Sequence, residues 1–216
     1  MDLDAARAQM ISQQLRTWDV SDQRVLDVMS SLPREQFVPP AFRSLAYADI
    51  GIPIETGGRM LQPKIQARML QAVAPGPEDV VLEIGTGSGY FTACLARLAA
   101  SVVSLDIDPA CTAAAAARLA DLGIGNVKLQ TADAMATEFE RNFDIIVLGG
   151  ALPVYDRRFE KALAPGGRLF VVVGSSPARE ARLITRGSGD GWARETLFET
   201  DIPPLENAPQ ADAFVF

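Results

Sequence analysis

The sequence predicts a three-layer α/β fold with a mostly parallel sheet, and three observations support this prediction. From residue 79 onward, short apolar runs alternate with helical stretches. The first of these runs passes into a glycine-rich turn, and the last two flank a second one. Parallel strands need crossover helices, whereas a short turn joins antiparallel neighbours. We therefore expect parallel strands with helices on both faces and an antiparallel hairpin at the C-terminal edge.

Residues 1–75 precede this pattern and are expected to form an N-terminal helical cap on a single domain. Apolar residues 25, 26, 29 and 32 share one helix face, with Ser21 as the expected N-cap and Pro33 as the stop. A weaker helix is expected around residues 10–15. Aromatic residues within 34–60 indicate packed loop rather than linker.

The last cap helix and the core, residues 76–216, follow from the same periodicity rules. Pro63 suits the first position of a helix, and Pro75 with its neighbours Gly76 and Pro77 ends it. In the core we expect strands at 80–84, 102–107, 127–130, 143–148 and 168–173, helices at 88–98, 109–122 and 154–163, and hairpin strands at 181–186 and 192–200 around a turn at 187–191.

The composition excludes several classes of function. The chain contains no histidine, which excludes Ser-His-Asp and Cys-His catalysis, a histidine general base and an HExxH zinc site. The net charge of -7 argues against nucleic acid or an anionic membrane as a partner. Cys94 and Cys111 are expected to be buried, and no metal site is expected. An acidic start and the lack of a long apolar run predict a cytoplasmic protein.

The glycine-rich turn after the first core strand is the motif that carries chemistry. It reads Glu83, Ile84, Gly85, Thr86, Gly87, Ser88, Gly89 and Tyr90. Such a turn brings backbone close to a ligand and directs helix N-terminal N–H groups at it. Tyr90 replaces the third glycine of the dinucleotide fingerprint, which disfavours a nicotinamide oxidoreductase. An acid followed by G-x-G-x-G resembles the first motif of S-adenosylmethionine-dependent methyltransferases of the Rossmann-like class.

Acidic residues follow the next two strands. Asp106 ends the second strand, where a carboxylate can accept hydrogen bonds from ribose hydroxyls, although it could instead cap the following helix. Asp133 follows the third strand, where the methyltransferase resemblance implies a contact with the adenine amino group; a plain loop carboxylate is the alternative. Asp144 opens the fourth strand, and a turn or capping role suits it at least as well as a catalytic one.

Further segments resemble one family, the protein-L-isoaspartate O-methyltransferases, over residues 7–205. The similar segments, in the family's order, are REQFVP at 34–39, AYAD at 46–49, IPI at 52–54, QP at 62–63, VLEIGTGSGY at 81–90 and GGRL at 166–169. This family methylates the α-carboxylate of isoaspartyl residues in damaged proteins, after which succinimide formation can restore a normal backbone. An ionised carboxylate needs no general base, so the chemistry suits a chain without histidine.

The resemblance implies a cofactor, a partner and a set of binding residues. The cofactor is S-adenosyl-L-methionine, and the partner is a peptide or protein that contains isoaspartyl residues, bound in a groove between cap and sheet. A monomer is expected, and a dimer is left open. The cofactor-binding residues implied are Glu83, Gly85, Thr86, Gly87, Ser88, Gly89, Asp106, Ile107, Asp133 and Ala134.

Two departures from the family pattern bear on the reaction. The family's G-Q-T-I-S-Q-P segment reads G-G-R-M-L-Q-P at 57–63, so Leu61 stands where the family has its active-site serine. The family's Gly-Asp-Gly reads Ala-Asp-Ala at 132–134. One hypothesis is that positioning supplies most of the rate and that Arg59 clamps the substrate carboxylate; a solvated loop charge is its alternative. The other is a cofactor-binding relative that methylates another acceptor, or a non-catalytic interaction module.

Overall fold

A computed structural model of the chain describes residues 2–55, 57–139, 143–189 and 191–210. Its strands are β1 (Ile52–Pro53), β2 (Arg59–Met60), β3 (Val80–Ile84), β4 (Ser101–Asp106), β5 (Val127–Thr131), β6 (Phe143–Leu152), β7 (Leu163–Val173), β8 (Arg179–Arg186) and β9 (Trp192–Thr200). Its α-helices are α1 (Leu3–Gln9), α2 (Gln23–Ser31), α3 (Pro63–Val73), α4 (Tyr90–Leu98), α5 (Pro109–Asp121) and α6 (Arg158–Lys161).

Seven strands form the main sheet in the order β5-β4-β3-β6-β7-β8-β9. The first five are parallel, and β8 and β9 are antiparallel to their neighbours. The predicted α/β fold with its edge hairpin is therefore confirmed. Asp190, in the turn predicted between the hairpin strands, lies outside the described residues. The strand order reverses between β3 and β6, and ligands of open α/β sheets bind at such a reversal.

Alternate residues of the central strands face two separate cores. Val81 of β3 packs with the cap helices and α4, whereas Leu82 packs with the opposite core. Both side chains are fully buried, as expected for a parallel strand covered on both faces. The cap thus packs on one face of the sheet, while α6 and the C-terminal segment contribute to the other.

The helix predicted at 154–163 is wrong in extent, since only α6 is helical. Asp156 accepts hydrogen bonds from the backbone N–H and side chain of Arg158, at 2.9 and 2.6 Å. Such local side-chain bonding offers the backbone an alternative to helix. At the other end, Leu163 pairs with Phe143 and begins β7 instead of ending a helix.

The cap follows the prediction in outline and departs from it in three details. Helix α2 is capped by Asp22, which accepts from the Arg24 N–H at 2.9 Å, so the expected cap Ser21 is wrong. Helix α1 continues as a π-helical stretch over Met10–Leu15. The packed loop contains two 3₁₀ helices (Arg34–Phe37 and Pro40–Leu45) and the unpredicted β1–β2 hairpin.

The described residues include no helix long and apolar enough to span a bilayer. Within the same ranges, no cluster of three or more histidine, cysteine, aspartate or glutamate side chains could hold a metal ion. Cys94 and Cys111 are both buried, as predicted.

Candidate functional site

A cavity of about 200 Å³ lies at the carboxyl ends of β3 and β4, beside β6, where the strand order reverses. We call it the outer cavity. Four groups of residues line it: the cap segment around Arg59, the loops after β3, β4 and β5, the glycine pair of β6, and the chain after β9. They include Ile54, Gly58, Arg59, Leu61, Gly85, Gly87, Asp106, Ile107, Asp133, Ala134, Gly149, Gly150, Pro203, Pro204, Leu205 and Glu206.

A second, smaller pocket of about 40 Å³ shares several of these residues, and we call it the inner pocket. Arg59, Leu61, Gly85, Gly87 and Gly149 line both spaces. The inner pocket is further lined by Met60, Gln66, Met69, Glu83, Thr86, Ser88 and Phe91. An elongated ligand could therefore extend from the outer cavity past the glycine loop into the inner pocket.

The glycine loop requires its glycines for conformation. Gly85, Gly87 and Gly89 have φ values of 93°, 50° and 82°, a region that residues with a Cβ rarely adopt. A Cβ on Gly89 would also lie 2.8 Å from the Cβ of Ala115, so this glycine lets α4 approach α5. Gly85 and Gly87 line both spaces, whereas Gly89 lines neither and serves helix packing.

Asp106 holds the glycine loop with its carboxylate. Its Oδ2 accepts from the Gly87 N–H at 2.7 Å, and its Oδ1 accepts from the Asp108 N–H at 3.0 Å. The cap of α5 is Asp108, which accepts from the Ala110 N–H at 2.8 Å. The alternative of Asp106 as the helix cap is therefore wrong, and its carboxylate lines the outer cavity.

Asp133 also lines the outer cavity. Its Oδ1 accepts from the Met135 N–H at 2.8 Å, and its Oδ2 accepts from the Asn207 side-chain amide at 2.9 Å. Ile107 and Ala134 lie against the same cavity. Asp144 lies elsewhere, because it accepts from the Val80 N–H, at the start of β3, at 2.8 Å. Its role is structural.

Glu83 is buried beneath the loop. Its Oε2 accepts from the hydroxyls of Thr92 and Ser104, each at 2.6 Å, and Ser104 also contacts the Thr86 hydroxyl. Burial raises the pKa of Glu83 to about 8, although the two hydroxyl hydrogen bonds oppose this shift. Ser88 accepts from the Tyr90 N–H at 3.3 Å.

Leu61 and Arg59 line both spaces, at their junction. Arg59 is exposed, and among the described residues its side chain has one hydrogen bond, from Nη1 to the Gly51 carbonyl at 3.3 Å. No carboxylate of the described residues forms an ion pair with it. The backbone carbonyl of Leu61 accepts from the buried Arg34 at 2.6 Å.

The chain after β9 contributes cavity-lining residues that we did not predict. Ala151 exchanges backbone hydrogen bonds with Pro203 and Leu205 at 2.8 and 2.9 Å, which brings 203–206 to the cavity. A Cβ on Gly150 would lie 2.8 Å from the Leu205 side chain, so the segment fits only over glycine. The adjacent pair Gly149 and Gly150 near the end of an apolar strand was the available sequence signal.

The two spaces fit a nucleoside joined to an amino acid. Asp106 and Asp133 place two carboxylates in the outer cavity, where ribose hydroxyls and an exocyclic amine can donate to them. The inner pocket adds a buried acid, Glu83, and a buried amide, Gln66, which suit an ammonium and a carboxylate. Between the two spaces, the glycine loop presents backbone rather than side chains to the part of the ligand that joins the nucleoside to the amino acid.

Comparison with known proteins identifies relatives along most of the chain. The sequence model of the family described as protein-L-isoaspartate(D-aspartate) O-methyltransferase matches residues 5–201. The protein-L-isoaspartate O-methyltransferase of Koribacter versatilis is 38% identical over 200 residues, covering 92% of this chain and 90% of its own. That of Anaeromyxobacter dehalogenans is 38% identical over 208 residues, covering 93% and 100%.

Solved structures share the fold. One is a Plasmodium falciparum protein described as a protein-L-isoaspartate O-methyltransferase, in complex with S-adenosyl-L-homocysteine. It superposes with a TM-score of 0.77 at 19% identity, covering 93% of this chain and 98% of its own. A second protein-L-isoaspartate O-methyltransferase gives a TM-score of 0.78 at 24% identity, covering 93% and 66%.

Proposed function

The chain belongs to the protein-L-isoaspartate(D-aspartate) O-methyltransferase family, and we propose that it methylates the α-carboxylate of isoaspartyl residues in peptides and proteins. The observation that carries the proposal is that Asp106 and Asp133 line one cavity together with Gly85 and Gly87 of the glycine loop. This arrangement suits a nucleoside cofactor, which family membership identifies as S-adenosyl-L-methionine.

Each cofactor-binding residue has a proposed contact or a structural task. Asp106 accepts hydrogen bonds from the ribose, Asp133 accepts from the adenine amine, and Ile107 and Ala134 pack against the base. Gly85, Gly87 and Ser88 line the path to the sulfonium, while Glu83 and Thr86 support the loop from beneath. Gly89 belongs to the motif through helix packing rather than contact.

The bound cofactor supplies an activated methyl group, which passes from a sulfonium to an acceptor oxygen by in-line displacement. The acceptor carboxylate contributes the electron pair, and an unperturbed carboxylate has a pKa of about 4, so it is ionised at neutral pH. No proton has to be removed by the protein. What remains is orientation and exclusion of water, which a cap over the sheet edge provides.

Orientation of the acceptor is assigned to Arg59. Leu61 offers no hydroxyl, and Arg59, two residues earlier, is a cation without a carboxylate partner among the described residues. A guanidinium can hold a carboxylate in a bidentate geometry that leaves one oxygen lone pair facing the methyl group. Cap and sheet form one unit in this proposal, with the monomer as the working form and the cytoplasm as its compartment.

Transfer of labelled methyl from S-adenosyl-L-methionine to matched isoaspartyl and aspartyl peptides tests the proposal. We expect label in the isoaspartyl peptide only, as a base-labile ester. If the protein binds S-adenosyl-L-homocysteine but labels neither peptide, the alternative is favoured: a relative that methylates another acceptor or acts only through binding. The leucine at position 61 is the observation that supports this alternative. Sedimentation of the same sample reports whether it is monomeric or dimeric.

A further inference from the structure

Arg34 is a fully buried cation without an ionic partner among the described residues. It is 0% exposed, and its three hydrogen-bond acceptors in the described residues are neutral: the Ala46 carbonyl at 2.8 Å, the Leu61 carbonyl at 2.6 Å and Oε1 of Gln66. Its guanidinium also lies 4.8 Å from the centre of the Tyr90 ring. Buried charges are ordinarily paired, and this one faces only dipoles.

The contact with Arg34 fixes the orientation of the Gln66 amide. A guanidinium has donors and no acceptor, so only the amide oxygen of Gln66 can face it. The amide nitrogen then points away, and within the described part of the chain it has no hydrogen-bond partner. Gln66 is 4% exposed and lines the inner pocket. The inner pocket is therefore lined by a residue with a free, oriented donor.

We propose that Arg34 is a positioning residue that orients and polarises the Gln66 amide, and that this amide donates to the α-carboxylate of the cofactor's amino-acid end. The inference rests on the proposed function, because it takes the ligand to be S-adenosyl-L-methionine. The ligand carboxylate would bring a negative charge near Arg34, separated from it by the Gln66 amide. Amide polarisation by a neighbouring cation strengthens such a donor in a low-dielectric site.

Glu83 lines the same pocket and is a candidate partner for the α-ammonium group of the cofactor's amino-acid end. Its carboxyl lies beneath the glycine loop, and within the described ranges Oε2 accepts hydrogen bonds while Oε1 accepts none. A carboxyl suits the α-ammonium group, so the carboxylate is left to the amide of Gln66. Arg59 also lines this pocket, but it is exposed, it lines the outer cavity as well, and the proposed function assigns it to the acceptor.

The substitution Gln66→Glu separates this role from simple packing. Glu is isosteric, and one of its oxygens keeps the contact with Arg34, now as an ion pair. Its other oxygen replaces the donor with an acceptor that repels a carboxylate. The probes are S-adenosyl-L-homocysteine, which carries the amino-acid end, and 5′-methylthioadenosine, which has the same nucleoside thioether without it. Gln36→Glu, at an exposed position that lines neither space, is the control for the added charge.

Calorimetric titration of both probes gives the result. We expect Gln66→Glu to weaken the binding of S-adenosyl-L-homocysteine by about tenfold or more and to change the affinity for 5′-methylthioadenosine by less than about twofold. Arg34→Lys should shift the same ratio in the same direction by less, because it keeps charge and loses orientation. Gln36→Glu should change neither affinity.

Equal losses for both probes, or unchanged S-adenosyl-L-homocysteine affinity in Gln66→Glu, would overturn the inference. Failure of the proposed function has a different signature. If the cofactor assignment is wrong, the wild-type protein itself does not bind S-adenosyl-L-homocysteine. If only the acceptor is wrong, the titrations succeed and isoaspartyl peptides receive no methyl group.

Discussion

The buried guanidinium of Arg34 donates to the backbone carbonyl of Leu61 at 2.6 Å. This contact joins the first cap segment to the residue that replaces the family's serine. It fixes the backbone of Leu61 even though the side chain has no polar group. Arg34 thus fixes the backbone beside the proposed acceptor position, although Arg34 itself lines neither space.

Replacing Arg34 by methionine should destabilise the protein by about 2 kcal/mol, because it leaves the carbonyls of Ala46 and Leu61 without donors. Urea denaturation of wild type and variant measures the difference. Arg43→Met is the control, since Arg43 is exposed and its side chain has no hydrogen bond or ion pair with any described residue. Equal midpoints for both variants would contradict the structural role.

Removing the Asp106 carboxylate with Asp106→Ala should weaken the binding of S-adenosyl-L-homocysteine by about tenfold or more, because the ribose contact and the Gly87 hydrogen bond are both lost. Asp121→Ala is the control for loss of a carboxylate, because Asp121 is exposed and lines neither space. Titration calorimetry compares the two. If both variants bind alike, the ribose assignment is wrong.

The variant Arg59→Ala should raise KM for the isoaspartyl peptide by about tenfold, since a charge-assisted hydrogen bond to the acceptor is lost. Affinity for S-adenosyl-L-homocysteine should change little, and Arg59→Lys should fall between the two proteins. Steady-state kinetics with Arg43→Ala as the control measure this. Unchanged peptide KM would refute the clamp, and a loss confined to the cofactor would reassign Arg59 to it.

Glu83 should make stability depend on pH. Its pKa is raised from 4.5 to about 8 in the folded protein, so between these values the folded state holds a proton that the unfolded state has lost. Stability should therefore fall as pH rises through this window, with a slope of at most about 1.4 kcal/mol per pH unit from this group. Below pH 4.5 the contribution is constant.

The comparison variant is Glu83→Gln, which cannot titrate. Urea midpoints of ligand-free protein between pH 5 and 9, roughly the range over which this carboxyl ionises, should show the variant gaining on wild type as pH rises. Parallel profiles for the two proteins would mean that the Glu83 carboxyl is ionised throughout.

The core was predictable because its signals are local. Strand β3 and the three glycines were read directly, since buried parallel strands are continuous apolar runs and left-handed turns select glycine. The role of Asp106 followed from its position at a strand end, and that of Asp133 from the methyltransferase resemblance; both carboxylates line one cavity.

What escaped prediction depends on tertiary contact. Nothing local shows that Arg34 reaches Gln66, 32 positions away, or that the segment at 203–206 returns to Ala151. The predicted length of helix α6 was wrong for a local reason, because the Asp156 side chain accepts a hydrogen bond from the nearby Arg158 N–H and overrides helix propensity. Asp22 rather than Ser21 caps α2, and the backbone N–H groups of both residues donate to Oε1 of Gln71 on α3, a contact between helices that no local pattern shows.

The central claim is that this site methylates isoaspartyl carboxylates with a leucine in place of the serine. The most direct measurement is kcat/KM for matched isoaspartyl and aspartyl peptides, in wild type and in Leu61→Ser. We predict that wild type already prefers the isoaspartyl peptide by about a hundredfold or more, a difference typical of a site built around specific hydrogen bonds. Activity that is absent in wild type and present only in Leu61→Ser would contradict the claim.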